Sequence, residues 1–405
     1  MVTAGERVAR LPQVSVAAGQ VWWLYGPPSV GKSATAWQLF TEVLRGEPRG
    51  YVDVDQVGMC YPEPPGDPGR HALKARAVGR VVRRFAGAGV RSLVVSGVVD
   101  EHSLSTVADE VDPAEVTFCR LRVDPGELER RLRTRYAPED VARALDEADA
   151  WDRDDPGSVV VDTSLGAPLD VALRVAEIIR STPSASARPS PASRSAAPDA
   201  AGTGGGRAVL VCGPTGVGKS AVGFGLFADL LGDGRTAAYL DLQQLGFLAD
   251  LPDGAPDSHE VVAACVGDLW EQYRTVGAQD LVLSGEVDQE ADVQRYRNAL
   301  GGTSLTVCRL DTTADVLRDR ILARTYGGGP PLAGDTLLGL TAAEADVVLH
   351  EALTQQAQLE TADIADIVLD TASKSAEEVI RSARTAFDRL SGATQAVLAP
   401  SARTT

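Results

Sequence analysis

Two stretches of sequence decide the fold, GPPSVGKS at residues 26–33 and GPTGVGKS at residues 213–220. Both fit the pattern G-x-x-x-x-G-K-[ST], and each follows a short apolar run and precedes a helical stretch. In such a loop the glycines let consecutive backbone N–H groups converge on phosphate oxygens, and the lysine reaches the β- and γ-phosphates. The hydroxyl after the lysine can bind Mg²⁺. The sequence therefore predicts two sites for a nucleoside triphosphate and its metal ion.

The residues expected to hold the nucleotide lie within and just after these loops. Lysine occurs only four times in the 405 residues, and two of the four stand at the same position of the motif. A glycine-rich turn without a ligand is therefore the weaker interpretation. We predict ATP and Mg²⁺ as ligands, although the loops do not distinguish ATP from GTP. The expected nucleotide-binding residues are Gly26, Gly31, Lys32, Ser33, Ala34, Gly213, Gly216, Gly218, Lys219, Ser220 and Ala221.

The two loops belong to two repeats of one domain. YVDVDQVG at residues 51–58 matches YLDLQQLG at residues 239–246, and further matches extend to the last strand of each half. A stretch rich in Ser, Ala, Pro and Gly separates the halves and has the composition of a mobile tether. We predict a first domain over residues 1–181, a flexible linker over 182–206, a second domain over 207–391 and a disordered tail over 392–405.

Each half alternates short apolar, β-branched runs with longer helical stretches. Continuous apolar strands separated by helices indicate a parallel sheet with helices on both faces. The predicted fold class is therefore α/β, with two tandem P-loop NTPase domains.

Composition excludes several kinds of partner. Acidic residues number 56 against 39 basic ones, so the net charge of −17 gives little support for binding nucleic acid or an anionic membrane. The five cysteines lack C-x-x-C spacing, and no apolar run approaches the roughly 20 residues that span a bilayer. We expect a cytoplasmic protein with reduced thiols.

The position of the acidic residues favours a kinase over a motor. A motor ATPase usually ends its third strand with a metal-binding Asp followed by Glu, but here these strands end in Ser96-Gly97 and Ser284-Gly285. Glu286 has Val98 as its counterpart, so a hydrolytic role for it is the minor alternative. Asp53 and Asp55 instead end the second strand, where alternation sends both carboxylates to one face. Loop solvation or helix capping is the other interpretation of this pair.

Taken together, these motifs resemble the P-loop kinases of nucleotides and small molecules, which include shikimate, gluconate and adenylylsulfate kinases. The resemblance rests on the two loops, the D-x-D after the second strand, the R-x-x-x-R pattern at Arg131/Arg135 and Arg320/Arg324, and the terminal Asp-Thr strand. It implies a nucleoside-kinase-like fold, Asp53 in the metal shell, Asp55 as the base, and Arg135 as a lid residue that neutralises phosphoryl charge. The implied catalytic residues are Lys32, Asp53, Asp55 and Arg135, and the implied metal-site residues are Ser33, Asp53, Ser220 and Asp241.

The halves differ where related kinases bind the phosphoryl acceptor. Arg70, Lys74 and Arg76 of the first half could hold an anionic substrate, because arginine forks match carboxylate or phosphate. The second half has Ser258, Val262 and Ala264 at these positions and Gln243 in place of Asp55. The other interpretation is an exposed basic helix whose divergence was neutral. The matched His71 and His259 are more simply structural than catalytic.

The second half also has a longer stretch before its terminal strand. There are 45 residues between Arg324 and Asp370 but 26 between Arg135 and Asp162, and GGGPP at 327–331 predicts a mobile loop in the insertion.

The sequence thus favours an ATP-dependent phosphotransferase whose first half acts on a small, hydroxyl-bearing, anionic acceptor. The second half is predicted to bind nucleotide and to regulate. Two alternatives stay open, a nucleotide-dependent switch with slow hydrolysis and no acceptor, and a phosphotransferase that inactivates an antibiotic. The sequence also leaves open whether chains oligomerise or the two halves pack together.

Overall fold

The computed structural model describes residues 20–98, 115–153, 159–164, 166–181, 205–328 and 333–398. In chain order the strands are β1 Gln20–Tyr25, β2 Arg49–Asp53, β3 Cys60–Tyr61, β4 Ser92–Ser96, β5 Glu115–Arg122, β6 Val159–Asp162, β7 Arg207–Cys212, β8 Ala237–Asp241, β9 Leu248–Ala249, β10 Asp280–Ser284, β11 Ser304–Asp311 and β12 Ile367–Asp370. The α-helices are α1 Lys32–Gln38, α2 His71–Gly87, α3 Pro125–Arg133, α4 Pro138–Arg153, α5 Pro168–Ser181, α6 Lys219–Gly232, α7 Leu242–Leu245, α8 Ser258–Thr275, α9 Glu290–Ala299, α10 Ala314–Thr325, α11 Ala342–Ala362 and α12 Ala376–Leu398.

The described residues form two compact units, each built on one six-stranded sheet. The first sheet has the order β6-β5-β1-β4-β2-β9, and the second has the order β12-β11-β7-β10-β8-β3. All pairings are parallel except those of the outer strands β9 and β3, which are antiparallel. The equal strand orders agree with the repeat in the sequence, and the predicted α/β fold class is confirmed.

The central strand of each sheet positions the phosphate loop. β1 lies between β4 and β5, with Trp22 opposite Val94 on one side and Thr117 on the other. β7 lies between β10 and β11 in the same way. Residues after the carboxyl end of a central parallel strand reach the crevice where α/β sheets bind ligands. Both loops therefore start at this crevice.

Aromatic side chains fill the core of the first unit. Trp22, Trp23 and Tyr25 are fully buried, as expected for strand packing. Tyr51 of β2 is also fully buried, and its ring centroid lies 5.7 Å from that of Phe247. Burial of an aromatic side chain removes 150–250 Å² from water, so this group contributes a large share of the hydrophobic stabilisation.

The first unit is not a continuous piece of chain. It contains the segment 247–256 in addition to the described residues up to 58 and between 69 and 181. β9 of this segment continues the sheet beyond β2, the backbone N–H of Tyr51 donates to the carbonyl of Phe247 at 2.9 Å, and the Asp250 carboxylate pairs with Arg49. Without β9 the edge of β2 would leave unpaired backbone groups.

The second unit is discontinuous as well. It contains the segment 59–68 together with the described residues from 205 to 246 and from 257 to 398. The backbone N–H of Tyr239 donates to the carbonyl of Met59 at 2.9 Å, and the ring of Tyr61 packs on Phe227. The predicted boundaries, which were continuous, differ from this arrangement because edge pairing depends on residues distant in sequence.

The chain ends differ from the predicted ones where they are described. α12 runs through residues 392–398, which the sequence analysis assigned to a disordered tail, because GATQAVL contains no proline and Pro400 is the first strong stop. Residues 399–405, and 182–204 of the predicted linker, lie outside the described residues. Among the helices that are described, none combines the length and apolar character needed to cross a membrane.

Candidate nucleotide and phosphoryl-transfer sites

The first phosphate loop connects β1 to α1. Gly26 and Gly31 have φ angles of 138° and 107°, which only glycine adopts easily. A Cβ atom on Gly26 would lie 2.5 Å from the carbonyl oxygen of Leu121, so no other residue fits there. The Lys32 ammonium donates to the carbonyls of Gly26 and Pro27 at 2.8 Å each. The lysine is therefore held over the loop in which phosphate would lie.

Burial changes the acid–base behaviour of this lysine. Desolvation lowers the pKa of Lys32 to about 8, although the nearby carboxylates of Asp55, Asp53 and Glu147 oppose the shift. A phosphate group would supply the negative charge that this buried ammonium lacks. Ala34 follows in the first turn of α1, where backbone N–H groups have no intrahelical partner.

The magnesium side of the first site is built from a hydroxyl and a carboxylate. Ser33 Oγ donates to Asp53 Oδ2 at 3.2 Å, and Ser96 Oγ donates to the same oxygen at 3.0 Å. Burial, followed by the negative charge of Asp55, raises the pKa of Asp53. A hard cation would relieve this penalty, and its usual ligands are oxygens of this kind. The donor set of Ser33 and Asp53 therefore fits Mg²⁺ completed by phosphate oxygens and water.

The second loop repeats this geometry. The Lys219 ammonium donates to the carbonyls of Gly213 and Pro214 at 3.0 and 3.1 Å, and Ser220 Oγ donates to Asp241 Oδ2 at 2.8 Å. Gly216 and Gly218 have φ angles of 85° and 107°, and Ala221 follows in the first turn of α6. Within the described residues no group of three or more His, Cys, Asp or Glu side chains could hold a metal by itself. A metal ion at either candidate site would therefore need oxygens of a bound nucleotide as further ligands.

The region of the first unit that was predicted to bind the acceptor is charged, and Asp55 is exposed there. Asp55 Oδ1 lies 2.7 Å from the Lys74 ammonium, and the side chain of Asp55 is 64% exposed while that of Lys74 is 9% exposed. Desolvation would raise the pKa of Asp55, but Lys74, Lys32 and Arg70 outweigh it and the pKa is lowered. Asp55 is therefore ionised at neutral pH and can accept a proton from a hydroxyl.

The three basic residues predicted for the acceptor pocket do not lie together in the structure. Arg70 is buried and donates to the carbonyl of Gly58, next to the turn that follows Asp55. Lys74 binds Asp55 directly. Arg76 is exposed and lies two residues beyond Lys74 on α2, which is about 200° around the helix, so it does not join this cluster.

The two arginines of each R-x-x-x-R pattern have different positions. Arg131 donates to the carbonyls of Val30 and Thr163 at 3.3 Å each, so it ties the phosphate loop to the end of β6. Arg320 makes the equivalent bonds to Val217 and Thr371 at 2.8–2.9 Å. The first arginine of each pattern therefore braces the loop.

The second arginine of each pattern is exposed in the first unit and takes part in an ion pair in the second. Arg135 follows α3 and is exposed, and its positive charge slightly lowers the pKa of Lys32. Arg324 pairs with Asp335 at 3.0 Å. A lid role for Arg135 stays a prediction.

In the second unit, a segment of that unit covers the position equivalent to Asp55. We call residues 333–340 the covering segment. Gln243 Nε2 donates to the carbonyl of Gly334 at 3.4 Å, and Gln244 Nε2 donates to that of Ala333 at 3.0 Å. Leu337 is 3% exposed. The mobile loop was predicted from GGGPP at 327–331, of which 329–331 lie outside the described residues. The described residues that follow pack on Gln243, the position equivalent to Asp55.

Two residues at the second loop were not predicted as site residues. Glu286 Oε1 accepts from Thr215 Oγ1 at 2.8 Å and lies 3.5 Å from the Lys219 ammonium. Gln355 Oε1 accepts from the backbone N–H of Thr215 at 3.0 Å. One feature of the sequence pointed to Glu286, because the first half has Val98 at the equivalent position, but a role for it was treated as the minor alternative. Gln355 belongs to no motif that sequence analysis recognises.

The two matched histidines have neighbours outside the phosphate loops. The ring Nδ1 of His259 is 3.3 Å from the Tyr296 hydroxyl, and its Nε2 is 4.0 Å from Asp292. His71 starts α2 beside Gly69. These surroundings agree with the structural interpretation.

Comparison with known proteins gave structural matches only. No protein-family model matches the chain, and no curated protein matches it. Similar solved structures include a gluconokinase from Sinorhizobium meliloti, 18% identical, which covers 47% of this chain and 97% of its own with a TM-score of 0.33. Shikimate kinase from Aquifex aeolicus is 15% identical over 47% of this chain and 99% of its own, with a TM-score of 0.27. APS kinase from Mycobacterium tuberculosis is 19% identical over 45% of this chain and 98% of its own, with a TM-score of 0.29. The strand order and the two loops define the P-loop kinase-like fold of both units.

Proposed function

We propose that the first unit is an ATP-dependent phosphotransferase that acts on a small, hydroxyl-bearing, anionic acceptor. The observation that carries this proposal is the Asp55–Lys74 pair of 2.7 Å, which is open to solvent at the same sheet edge as Lys32, Ser33 and Asp53. A carboxylate there is ionised, oriented and accessible, as a general base must be.

The residues divide the work between the nucleotide and the acceptor. Lys32 and the loop N–H groups bind the phosphates, and Ser33 and Asp53 would hold Mg²⁺, which offsets the phosphate charge when it is bound. Asp55 accepts the proton of the acceptor hydroxyl while that oxygen bonds to the γ-phosphorus. The bond from the γ-phosphorus to ADP breaks, and the products are ADP and a phosphorylated acceptor.

An anionic acceptor is favoured by the charges around Asp55. Lys74 and Arg70 are both buried, and a buried cation is costly unless anions surround it. A carboxylate or phosphate on the acceptor would bring a further negative charge to these two cations beside Asp55. Arg135, exposed beyond α3, could then approach the transferring phosphoryl group.

The second unit is proposed to bind nucleotide without phosphorylating a separate acceptor. Gln243 cannot act as a base, and the covering segment lies on it. Nucleotide binding there would serve regulation of the first unit.

The test is a mass-spectrometric search for phosphorylated products after incubation with Mg-ATP and a metabolite extract. We expect a new phosphorylated metabolite with the wild-type protein that is lost with Asp55→Asn. Asp253→Asn is the matched control, because Asp253 is an exposed aspartate of the same unit outside the site. Slow phosphate release without any phosphorylated metabolite, equal in all three proteins, would favour the switch alternative instead.

A further inference from the structure

The carboxylate of Glu286 contacts the nucleotide loop of the second unit, and the first unit has Val98 at the equivalent position. Glu286 follows β10 and contacts two loop residues, the Thr215 hydroxyl at 2.8 Å and the Lys219 ammonium at 3.5 Å. Its side chain is 54% exposed, so water reaches it. Desolvation would raise the pKa of Glu286, but Lys219 and hydrogen bonds from Thr215 and Gln355 outweigh it and the pKa is lowered. Glu286 is therefore ionised beside the lysine that binds the terminal phosphates.

A side-chain amide lies at the same place. Gln355 of α11 accepts from the Thr215 backbone N–H at 3.0 Å through Oε1 and also hydrogen-bonds Glu286. An amide beside a carboxylate can orient a water molecule, because one group donates and the other accepts. The first unit has Glu147 at the equivalent position, 15 residues before the aspartate of its last strand, as Gln355 is in the second. The amide, like Glu286, is thus specific to the second unit.

The acceptor edge of this unit excludes a larger nucleophile. The covering segment is fixed at three points, by Gln243, by Gln244 and by the 3.0 Å pair of Arg324 with Asp335. The bond from the backbone N–H of Gly339 to the carbonyl of Thr325, at 2.9 Å, closes the segment onto the end of α10. A sugar or acid that needed the position of Gln243 would meet this chain, whereas Glu286 has a side chain that is 54% exposed to water.

We propose that the second unit hydrolyses ATP, with water as the acceptor, Glu286 as the general base and Gln355 orienting the water. The water oxygen bonds to the γ-phosphorus, the bond from the γ-phosphorus to the bridging oxygen of ADP breaks, and the water proton passes to Glu286. The products are ADP and inorganic phosphate. The two units of one chain would thus carry out two different reactions. The hydrolysis proposed for the second unit does not depend on the phosphotransfer proposed for the first.

The test measures hydrolysis by the full chain in a Lys32→Ala background, which weakens nucleotide binding at the first loop. We expect phosphate release from Mg-ATP in this protein and a loss of at least about 100-fold when Glu286→Gln is added, since general bases contribute about 10²–10⁴-fold. Binding of a fluorescent ATP analogue to the second loop should persist in Glu286→Gln. Glu351→Gln is the matched control, because Glu351 is an exposed glutamate on the helix that carries Gln355.

Two results would overturn the proposal, no hydrolysis in Lys32→Ala or unchanged hydrolysis after Glu286→Gln. If analogue binding also became tighter in Glu286→Gln, Glu286 would instead be a side chain that holds Lys219 away from the nucleotide. The Glu286→Gln comparison is repeated in an Asp55→Asn chain, which keeps the first loop intact, so that a folding defect of Lys32→Ala does not decide the outcome. Failure of the phosphotransfer proposal would be seen separately, as the absence of a phosphorylated metabolite.

Discussion

The two units share one frame but differ at the edge where an acceptor would bind. In the first, Asp55 is paired with Lys74 and exposed; in the second, Gln243 is bound by the covering segment. The phosphate loops and the serine–aspartate pairs beside them are nearly the same in both. The residues predicted to bind nucleotide are thus alike in the two units, while those at the predicted acceptor edge differ, and the two sets follow different strands.

The largest expected effect is the loss of nucleotide affinity when the lysine of one phosphate loop is replaced. Lys32→Ala and Lys219→Ala should each weaken one site about 10–100-fold, since a hydrogen bond to a charged group is worth about 1.5–3 kcal/mol. Calorimetric titration with a non-hydrolysable ATP analogue should give two sites in the wild type and one in each variant at moderate concentration. A stoichiometry of two in Lys219→Ala would show that the second loop does not bind through its lysine.

The next comparison concerns the partner of the proposed base. Lys74→Ala should lower the phosphotransfer rate about 10–100-fold, by loss of a charged hydrogen bond to Asp55. Because Lys74 lowers the pKa of Asp55, its removal should raise that pKa and move the acid limb of the rate profile to higher pH. Lys74→Arg should restore much of the rate.

The matched control for this variant is Val262→Ala, at the equivalent position of the second unit. It should leave the acid limb in place. An unshifted limb in Lys74→Ala would mean that Lys74 only supports the structure.

The pH dependence of nucleotide affinity should report on Lys32. With a pKa of about 8 in the free protein, the lysine is mostly charged at pH 7 and mostly neutral at pH 9. Only the charged form binds phosphate well, so affinity should fall about 10-fold over this range and binding above pH 8 should take up a proton. Titrations in buffers of different ionisation enthalpy, on a Lys219→Ala chain, would measure this. A flat profile would contradict the assigned role of Lys32.

The smallest expected effect tests the covering segment. Asp335→Ala removes the partner of Arg324, and because both are partly exposed the cost should be about 1 kcal/mol. Opening of residues 333–340 should then become about fivefold more frequent, seen as faster amide exchange there. Asp315→Ala, which breaks the exposed pair with Arg318, is the control and should leave the exchange unchanged.

Much of the fold followed from local sequence. The phosphate loops, the strand alternation and the position of Asp53 and Asp55 all depend on neighbouring residues, which a single sequence displays. Lys74 was predicted to hold an anionic substrate together with Arg70 and Arg76. Its ion pair with Asp55 and the separation of Arg76 depend on helix phase, which shifts with every boundary residue.

The remaining features depend on contacts between distant residues. Gln355 reaches Thr215 across 140 positions, and Asp250 reaches Arg49 across 201. Neither pair has a spacing that a motif could describe. The contacts of the covering segment could not be predicted either, because its partners Gln243 and Gln244 lie about 90 residues earlier in the chain.

The edge strands also determine when each sheet can be completed during synthesis on the ribosome. The first sheet cannot gain β9 until residues 248–249 are made, although β2 ends at Asp53. At about 5–20 residues per second, the open edge of β2 persists for about 10–40 s of synthesis. β3, made early, waits in the same way for β8. An unpaired edge is an aggregation hazard for that whole interval, so nascent chains should need protection until both halves have emerged.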